Sequence, residues 1–344
     1  GYTTLVGMAN TMPPVSDTET LSYIIEKGRR TPIRLYSCAT VTVGMRGEAL
    51  VPMEELRAAG AVGFTDDGKP LLNEALVEEA MRRARALDVP LCFHEEDPAY
   101  IGTAGIHAGK VAESMGLSGA KREAESTMVR RDIRLLRKTG ARIDIQHVSA
   151  RETVELVRAA KEEERKRGGE RLLYAEASPH HFSLIDEDVR RYGTLAKMNP
   201  PLRTESDRRA IIEGLKDGTL DIIATDHAPH SREEKSRPFT EAPSGITGLE
   251  TALSLGITRL VRTGELTLMQ LLEKLTLNPA RLFRLDAGYL AEGGPADVVI
   301  FQPEEKRKVS GFLSKSSNSP FFGETLYGEV KYVLCGGRVV YPPR

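Results

Sequence analysis

The sequence predicts an α/β fold of parallel strands with helical crossovers, followed by a small β unit. Two observations support this: short β-branched runs alternate with longer helical segments up to about residue 286, and the alternation then stops. Parallel strands need a connection of a dozen or more residues, usually a helix, so this alternation indicates parallel pairing. We therefore expect one unit at residues 1–286 and a second at residues 287–344.

The first unit contains seven expected strands and seven expected helices. The strands are expected within residues 3–8, 32–38, 60–68, 89–94, 142–147, 171–177 and 220–225. The helices are expected at residues 18–27, 73–87, 123–138, 152–167, 205–216, 248–262 and 267–275. Helix 73–87 is predicted because Leu76, Ala80, Ala84 and Leu87 fall on one apolar stripe of a helix. On its other side Glu78 and Glu79 each precede an arginine by four residues, which stabilises an exposed helix face.

The carboxyl-terminal part has a different pattern. Residues 293–303 and 328–343 are β-branched runs interrupted by Gly-Gly and Pro turns. Such runs are typical of antiparallel strands joined by tight turns. We therefore expect them to form the separate small β unit.

Composition excludes several classes of function. A chain of 344 residues with 40% hydrophobic content can bury about three quarters of its extended surface. Its formal net charge of -1 gives no basic field for a nucleic acid, so a small-molecule substrate is favoured. Cys38, Cys92 and Cys335 form no CxxC motif, which favours a reducing, cytoplasmic setting. No apolar run approaches the roughly 20 residues that span a bilayer, so no membrane association is expected.

Four ionisable residues follow four different expected strands. Asp67 comes after Phe64, while His94, His147 and Asp226 end or directly follow their own strands. In an α/β barrel the carboxyl ends of the strands meet on one face, where active sites are built. Two imidazoles and two carboxylates suit a divalent metal, and zinc accepts such mixed nitrogen and oxygen ligands. The alternative for "IIATDHAPH" (222–230) is a polar loop after a buried strand.

Several short motifs occur in a fixed order along the chain. The motifs are "MANT" (8–11), "FTDDG" (64–68), "FHEED" (93–97), "IQHVS" (145–149), "SPHH" (178–181), "KMNPPLR" (197–203), "IATDHAPH" (223–230) and "APSGITGLETALSL" (242–255). Each motif alone is weak, but the ordered set is specific and extends into the tail "AGYLAEGGPADVVIF". This ordered set resembles that of class I bacterial dihydroorotases in the amidohydrolase superfamily.

The resemblance implies a fold and an activity. The fold would be a (β/α)₈ TIM-type barrel, here without its first strand, and a small β-sandwich domain to which the carboxyl-terminal strands contribute. The reaction would be the reversible, zinc-dependent hydrolysis of the cyclic amide of L-dihydroorotate to N-carbamoyl-L-aspartate, a step of de novo pyrimidine (UMP) biosynthesis. Two Zn²⁺ ions would serve each active site.

The resemblance also implies roles for individual residues. Asp67 would bridge the two zinc ions, and His94 and His147 would complete the ligands of the more exposed ion. Asp226 would bind the more buried ion and shuttle the catalytic proton. The expected substrate contacts are Asn10, Asn199, His230 and the backbone around Pro243 and Gly245.

One family motif does not occur in this sequence. None of the seven histidines forms the H-x-H pair that supplies two ligands of the buried metal in the family. We therefore expect that pair, and the first strand, to lie upstream of Gly1 in a longer protein. Taken as it stands, the chain would hold an impaired metal site. A shortened, inactive paralogue is the alternative.

Other functions and partners stay open at this stage. Related cyclic-amide hydrolases, dihydropyrimidinase and allantoinase, bridge their metals with a carboxylated lysine on the fourth strand. Here Asp67 occupies that region and Lys69 lies beyond the turn, which favours a dihydroorotase. A different class is a non-catalytic scaffold for aspartate transcarbamoylase, which retention of the four metal-ligand residues disfavours. A homodimer is the other partnership to consider.

The remaining histidines and one loop have simpler interpretations. His180 and His181 are expected to be structural or to support the ligands, and His107 is expected at the surface. His227 is expected to orient Asp226 or to pack below it. Residues 231–246 have no periodicity, which is typical either of a loop that covers substrate or of a plain surface loop.

Overall fold

The computed structural model describes residues 1–342. The expected strand run 328–343 therefore ends on Pro343, which lies outside the described residues. Nine strands occur in this range: β1 Thr4–Gly7, β2 Arg34–Ser37, β3 Leu91–Phe93, β4 Ile143–Ile145, β5 Leu173–Ala177, β6 Ile222–Ile223, β7 Val298–Lys308, β8 Thr325–Cys335 and β9 Arg338–Tyr341.

Helices occupy most of the connections between the strands. They are α1 Thr18–Gly28, α2 Met53–Ala58, α3 Glu74–Ala86, α4 Lys110–Ser114, α5 Glu123–Thr139, α6 Arg151–Arg167, α7 Pro179–Ser183, α8 Asp188–Tyr192, α9 Glu205–Asp217, α10 Arg232–Lys235, α11 Ala252–Gly256, α12 Leu268–Leu275 and α13 Leu277–Phe283. Among residues 1–342, no helix combines the length and apolarity that a membrane crossing requires.

A continuous series of parallel pairings runs through the first part of the chain. β1 pairs with β2, and Phe64 bridges Ala39 on one side and Leu91 on the other. From there β3, β4, β5 and β6 pair in sequence order. Seven parallel segments with helices in their connections confirm the predicted α/β, TIM-type barrel class.

Local sequence explains the ends and the buried face of α3. The Asn73 side chain accepts the Leu76 N–H at 3.3 Å and caps the first turn. The expected ion pairs of the exposed face are present, at 2.7 Å for Glu78–Arg82 and 2.8 Å for Glu79–Arg83. The expected apolar stripe is wrong in part, because the buried residues are Val77, Ala80, Met81 and Ala84. These positions, at i, i+3, i+4 and i+7, form the stripe that faces the core.

Several barrel strands are shorter than their apolar runs. The run 220–225 pairs only at Ile222–Ile223, and the run 60–68 contributes one bridging residue, Phe64. The residues that follow Ile223 and Phe64 are not part of a paired strand, and several of them carry polar side chains. Helix 248–262 begins at Ala252 and continues as a π-helical turn over Ile257–Val261, and α13 was not predicted.

The tail forms the antiparallel sheet β7–β8–β9, as its sequence pattern predicts. β8 and β9 are joined at Gly336 and Gly337, whose φ angles of 57° and 76° lie in the left-handed region that glycine tolerates. The long connection between β7 and β8, residues 309–324, returns to the barrel, where Val309 and Phe321 are fully buried.

Candidate metal centre and active site

The four predicted metal ligands all follow barrel strands, on the face where the carboxyl ends of the strands meet. His94 comes directly after β3, His147 two residues after β4 and Asp226 three residues after β6. His147 and Asp226 have φ angles of +34° and +46°, which non-glycine residues seldom adopt. Strained backbone of this kind persists where the surrounding structure fixes it, and it is concentrated at functional sites.

Asp67, His94 and His147 form a compact cluster. Each offers one ligand atom, and these atoms lie within 4.8 Å of one another. His94 Nδ1 lies 2.9 Å from His147 Nε2, and Asp67 Oδ1 lies 3.6 Å and 3.8 Å from those two nitrogens. Two imidazole nitrogens and one carboxylate oxygen converging on a common point are a donor set that suits a divalent transition metal.

Polar contacts orient two of these side chains. His94 Nε2 lies 3.0 Å from Glu96 Oε2, so the Nε2–H donates to this carboxylate and leaves Nδ1 free to bind a metal. Asn10 Nδ2 donates to Asp67 Oδ2 at 3.0 Å. Asn10, predicted to contact substrate, therefore holds the carboxylate that is predicted to bridge the metals.

The electrostatics of the centre favour a bound cation. Burial lowers the pKa of His94, but the Asp67 and Glu96 carboxylates outweigh this effect and raise the pKa to about 10. Burial also raises the pKa of Glu176, and repulsion by Asp144 and Asp226 raises it further. A positive ion bound here would reduce the electrostatic repulsion among these carboxylates and would separate the His94 and His147 ring nitrogens by binding between them.

Asp226 lies outside the three-residue cluster. Its Oδ2 is 3.4 Å from Nε2 of His180, a buried nitrogen that has no hydrogen-bond partner within residues 1–342. Burial raises the pKa of Asp226, repulsion by Asp67 raises it further, and attraction by His147 offsets part of the rise. The metal-binding and proton-shuttle roles of Asp226 stay predictions.

The other predicted substrate contacts are joined to one another by hydrogen bonds. Ser244 Oγ donates to Asn199 Oδ1 at 3.0 Å, and His230 Nε2 donates to Ser244 O at 2.9 Å. Pro243 O accepts from Lys235 Nζ at 2.8 Å. Asn199, His230 and the 243–245 backbone thus form one connected surface.

Two interpretations of histidines are corrected by the structure. His107 is only 4% exposed, and its Nδ1 accepts from Arg203 Nη1 at 3.2 Å, so it is not a surface residue. His227 Nδ1 accepts from the Gly248 N–H at 3.1 Å, so this hydrogen bond fixes the loop after residue 247 rather than Asp226, and the alternative that His227 packs below Asp226 stays a prediction. In both cases the partner is distant in the sequence, which local pattern does not reveal.

Comparison with known proteins identifies the family. The model of the Amidohydrolase family matches residues 34–340. The chain is 54% identical over 341 residues to the dihydroorotase of Clostridioides difficile (strain 630), covering 99% of this chain and 80% of that protein. It is 52% identical over 343 residues to the dihydroorotase of Clostridium acetobutylicum, with the same coverage.

The chain belongs to the dihydroorotase family of amidohydrolases. Solved structures agree on the fold. An L-hydantoinase from Arthrobacter aurescens superposes with a TM-score of 0.84 at 24% identity, over 99% of this chain and 77% of that chain. A dihydropyrimidinase from Brevibacillus agri gives a TM-score of 0.81 at 22% identity, with the same coverage.

Family membership together with the geometry supports a metal cofactor and a small-molecule substrate. Members of this family are hydrolases of cyclic amides, and the cluster of Asp67, His94 and His147 offers this dihydroorotase-family chain a site for a metal ion. Glu96 was missed in the sequence, although a carboxylate two residues after a predicted histidine ligand is a usable signal. Lys197, Lys235 and Asn318, which fix the loop at 239–245, carried no such signal.

Proposed function

We propose that this protein is a zinc-dependent dihydroorotase, which interconverts L-dihydroorotate and N-carbamoyl-L-aspartate in de novo pyrimidine biosynthesis. The observation that carries the proposal is the convergence of Asp67, His94 and His147 at one point. The two dihydroorotases that are 54% and 52% identical to this chain support dihydroorotate as its substrate.

The donor set determines where the metal would bind. Asp67, His94 and His147 would hold one ion, and Asp67 and Asp226 would hold a second, since a carboxylate can bridge two metals. Mixed nitrogen and oxygen ligands favour zinc. When bound, such ions activate water at neutral pH and polarise a carbonyl oxygen as Lewis acids.

The protein's own residues would move the proton. In hydrolysis the ring C–N bond breaks and a C–O bond to water forms, so one proton must pass from the water to the leaving nitrogen. Asp226 Oδ2 would accept that proton from the water and donate it to the leaving ring nitrogen. His180 Nε2, 3.4 Å away, would steady that oxygen.

The neighbouring surface would bind the substrate. The Asn199 and His230 side chains and the backbone at 243–245 offer hydrogen-bonding groups to a carboxylate and to the amides of a ring. Ser244 links Asn199 and His230, so these groups are held in position before substrate arrives. Such preorganisation lowers the entropic cost of binding and of reaching the reactive geometry.

Steady-state assays test the activity. Full-length, zinc-loaded protein is expected to hydrolyse L-dihydroorotate with a higher kcat/KM than dihydrouracil or allantoin. Asp226→Asn should lower kcat with little loss of zinc from the cluster at Asp67, and Asp217→Asn, which lies outside the site, serves as the control. Preference for either of the other two substrates would contradict the proposal, as would zinc-free protein with undiminished activity.

The remaining parts of the proposal concern organisation and setting. We place the division between the barrel and the small β unit at residue 286, since α13 ends at Phe283 and the strands described between there and residue 342 are antiparallel. Free thiols at Cys38, Cys92 and Cys335 are consistent with the cytoplasm. Homodimer formation and association with aspartate transcarbamoylase stay predictions, to be tested by sedimentation of the protein alone and with the transcarbamoylase.

A further inference from the structure

The connection between β7 and β8 reaches the candidate active site through Asn318. This residue is 6% exposed and lies about 90 residues from the segment that it contacts. Its Oδ1 accepts from the His230 N–H at 3.1 Å and lies 3.0 Å from Ser316 Oγ, whose single proton goes to His230 O. Its Nδ2 donates to Ala228 O at 3.1 Å and to Gly245 O at 3.2 Å.

Hydrogen bonds to His230, Ala228 and Gly245 use both donors and one acceptor lone pair of the Asn318 side chain. An aspartate has the same shape, but it would direct a carboxylate oxygen at the carbonyls of Ala228 and Gly245. Alanine would leave the His230 N–H and these two carbonyl oxygens, which are buried or partly buried, without their partner, and that is the costly way to lose a hydrogen bond.

The two segments that Asn318 joins are in unusually close contact. Gly245 has a φ of +104°, and a Cβ placed there would lie 2.5 Å from the Cβ of Ala228. The Ala228 N–H donates to Ile246 O at 2.8 Å. On the other side, the Thr247 N–H donates to the backbone oxygen of Asn318 at 3.0 Å. Asn318 therefore closes a contact that only a glycine at position 245 permits.

The groups that Asn318 fixes are those that would meet the substrate. It bonds the backbone of His230, whose Nε2 donates to Ser244 O, and it bonds Gly245, the next residue. Ser316 Oγ also donates to His230 O. By contrast, none of its hydrogen-bond partners is Asp67, His94 or His147, so its effect on substrate is separable from metal binding.

We propose that Asn318 is a positioning residue for substrate recognition, which sets the spacing between His230 and the 243–245 backbone. The proposal rests on the proposed function, because it assigns His230 and this backbone to the substrate. A change at Asn318 would move the two groups apart without touching the metal ligands. Substrate affinity would then fall more than the rate of the bound complex.

Kinetics of Asn318→Asp and Asn318→Ala test the proposal in full-length, zinc-loaded protein. Asn278 is the matched control, because it is also 6% exposed and its Nδ2 donates to a backbone oxygen, that of Asp221, at 2.8 Å. Both Asn→Ala variants should lose thermal stability. Only the Asn318 variants should raise KM for dihydroorotate, by roughly ten- to hundredfold from the loss of buried hydrogen bonds. Their zinc content should equal that of the parent.

Three outcomes separate the proposals. A zinc-loaded parent protein without activity overturns the proposed function and, with it, the substrate role of Asn318. An active parent whose Asn318 variants keep its KM, or share a KM increase with the Asn278 variants, overturns the inference about Asn318 alone. Should the Asn318 variants not fold, hydrogen exchange in the parent decides. N-carbamoyl-L-aspartate must then protect residues 226–230, 243–247 and 314–319 together, and protection that omits 314–319 refutes the role.

Discussion

Glu96 is expected to control how tightly the centre holds zinc. Its Oε2 accepts from His94 Nε2 at 3.0 Å, and the two residues are 2% and 7% exposed. This hydrogen bond selects the tautomer in which His94 Nδ1 faces Asp67 and His147. Removing the carboxylate would free the imidazole to rotate and would lower the basicity of the ligand nitrogen.

The expected loss of zinc affinity depends on whether the substituted side chain can still accept a hydrogen bond from His94. Glu96→Gln keeps an oxygen that can accept from His94 but removes the negative charge, so zinc affinity should fall by about tenfold. Glu96→Ala leaves a buried Nε2–H without a partner, and the loss should approach about a hundredfold, or about 3 kcal/mol.

Competition with a chromophoric zinc chelator at fixed pH measures both losses. Glu95→Gln is the control, because Glu95 is equally buried at 2% exposure but contacts Arg131, at 3.5 Å, instead of His94. We expect the control to keep its zinc affinity within about threefold, since it touches no ligand. A Glu96→Gln variant with unchanged affinity, or a control that loses as much, would refute the reasoning.

Three further predictions concern pH and backbone geometry. Because nearby carboxylates raise the pKa of His94 to about 10, a proton must leave before a metal binds. Zinc affinity should therefore rise with pH between pH 6 and 8.5, by up to about tenfold per unit, and a flat profile in chelator competition would argue against this. Burial raises the pKa of Asp207, but hydrogen bonds from Arg122 and Thr204 outweigh this and lower it from 3.8 to about 2. The ionised Asp207 carboxylate therefore stabilises the fold by about 2 kcal/mol above pH 4, and this stabilisation is lost as the pH falls from about 4 to 2. In denaturant titrations the free energy of unfolding of Asp207→Asn should fall less over this pH range than that of the parent protein. In Gly245→Ala the new Cβ would lie 2.5 Å from the Cβ of Ala228 on a backbone with φ at +104°, so this variant should show a higher KM and a lower melting temperature. The control is Gly264→Ala, where φ is +78° and a Cβ would have no described atom within 4 Å, and there only the stability should change.

The pattern of apolar runs was sufficient to predict parallel strands joined by helices, because such strands leave a repeated local signature, whereas the barrel was implied by the family resemblance. α1, α3, α5, α6 and α9 were all predicted to within two residues at each end. Caps explain part of this precision: Asn73 caps α3, and Thr204 and Asp207 form a capping box on α9. The ends of strands were predicted less well, because backbone pairing stops where the neighbouring strand ends, and local sequence does not record that point.

The sequence alone was sufficient to predict that Asp67, His94 and His147 would lie close together. Asp67, His94 and His147 each follow a strand of one parallel sheet, so chain direction carries them to the same face. Tertiary structure alone decided what holds that face in place. The contacts of Asn318 with Ala228, of Lys197 with Phe239 and of His107 with Arg203 join residues 42 to 96 positions apart. Local sequence pattern records periodicity and turns, and such contacts form only when distant segments pack.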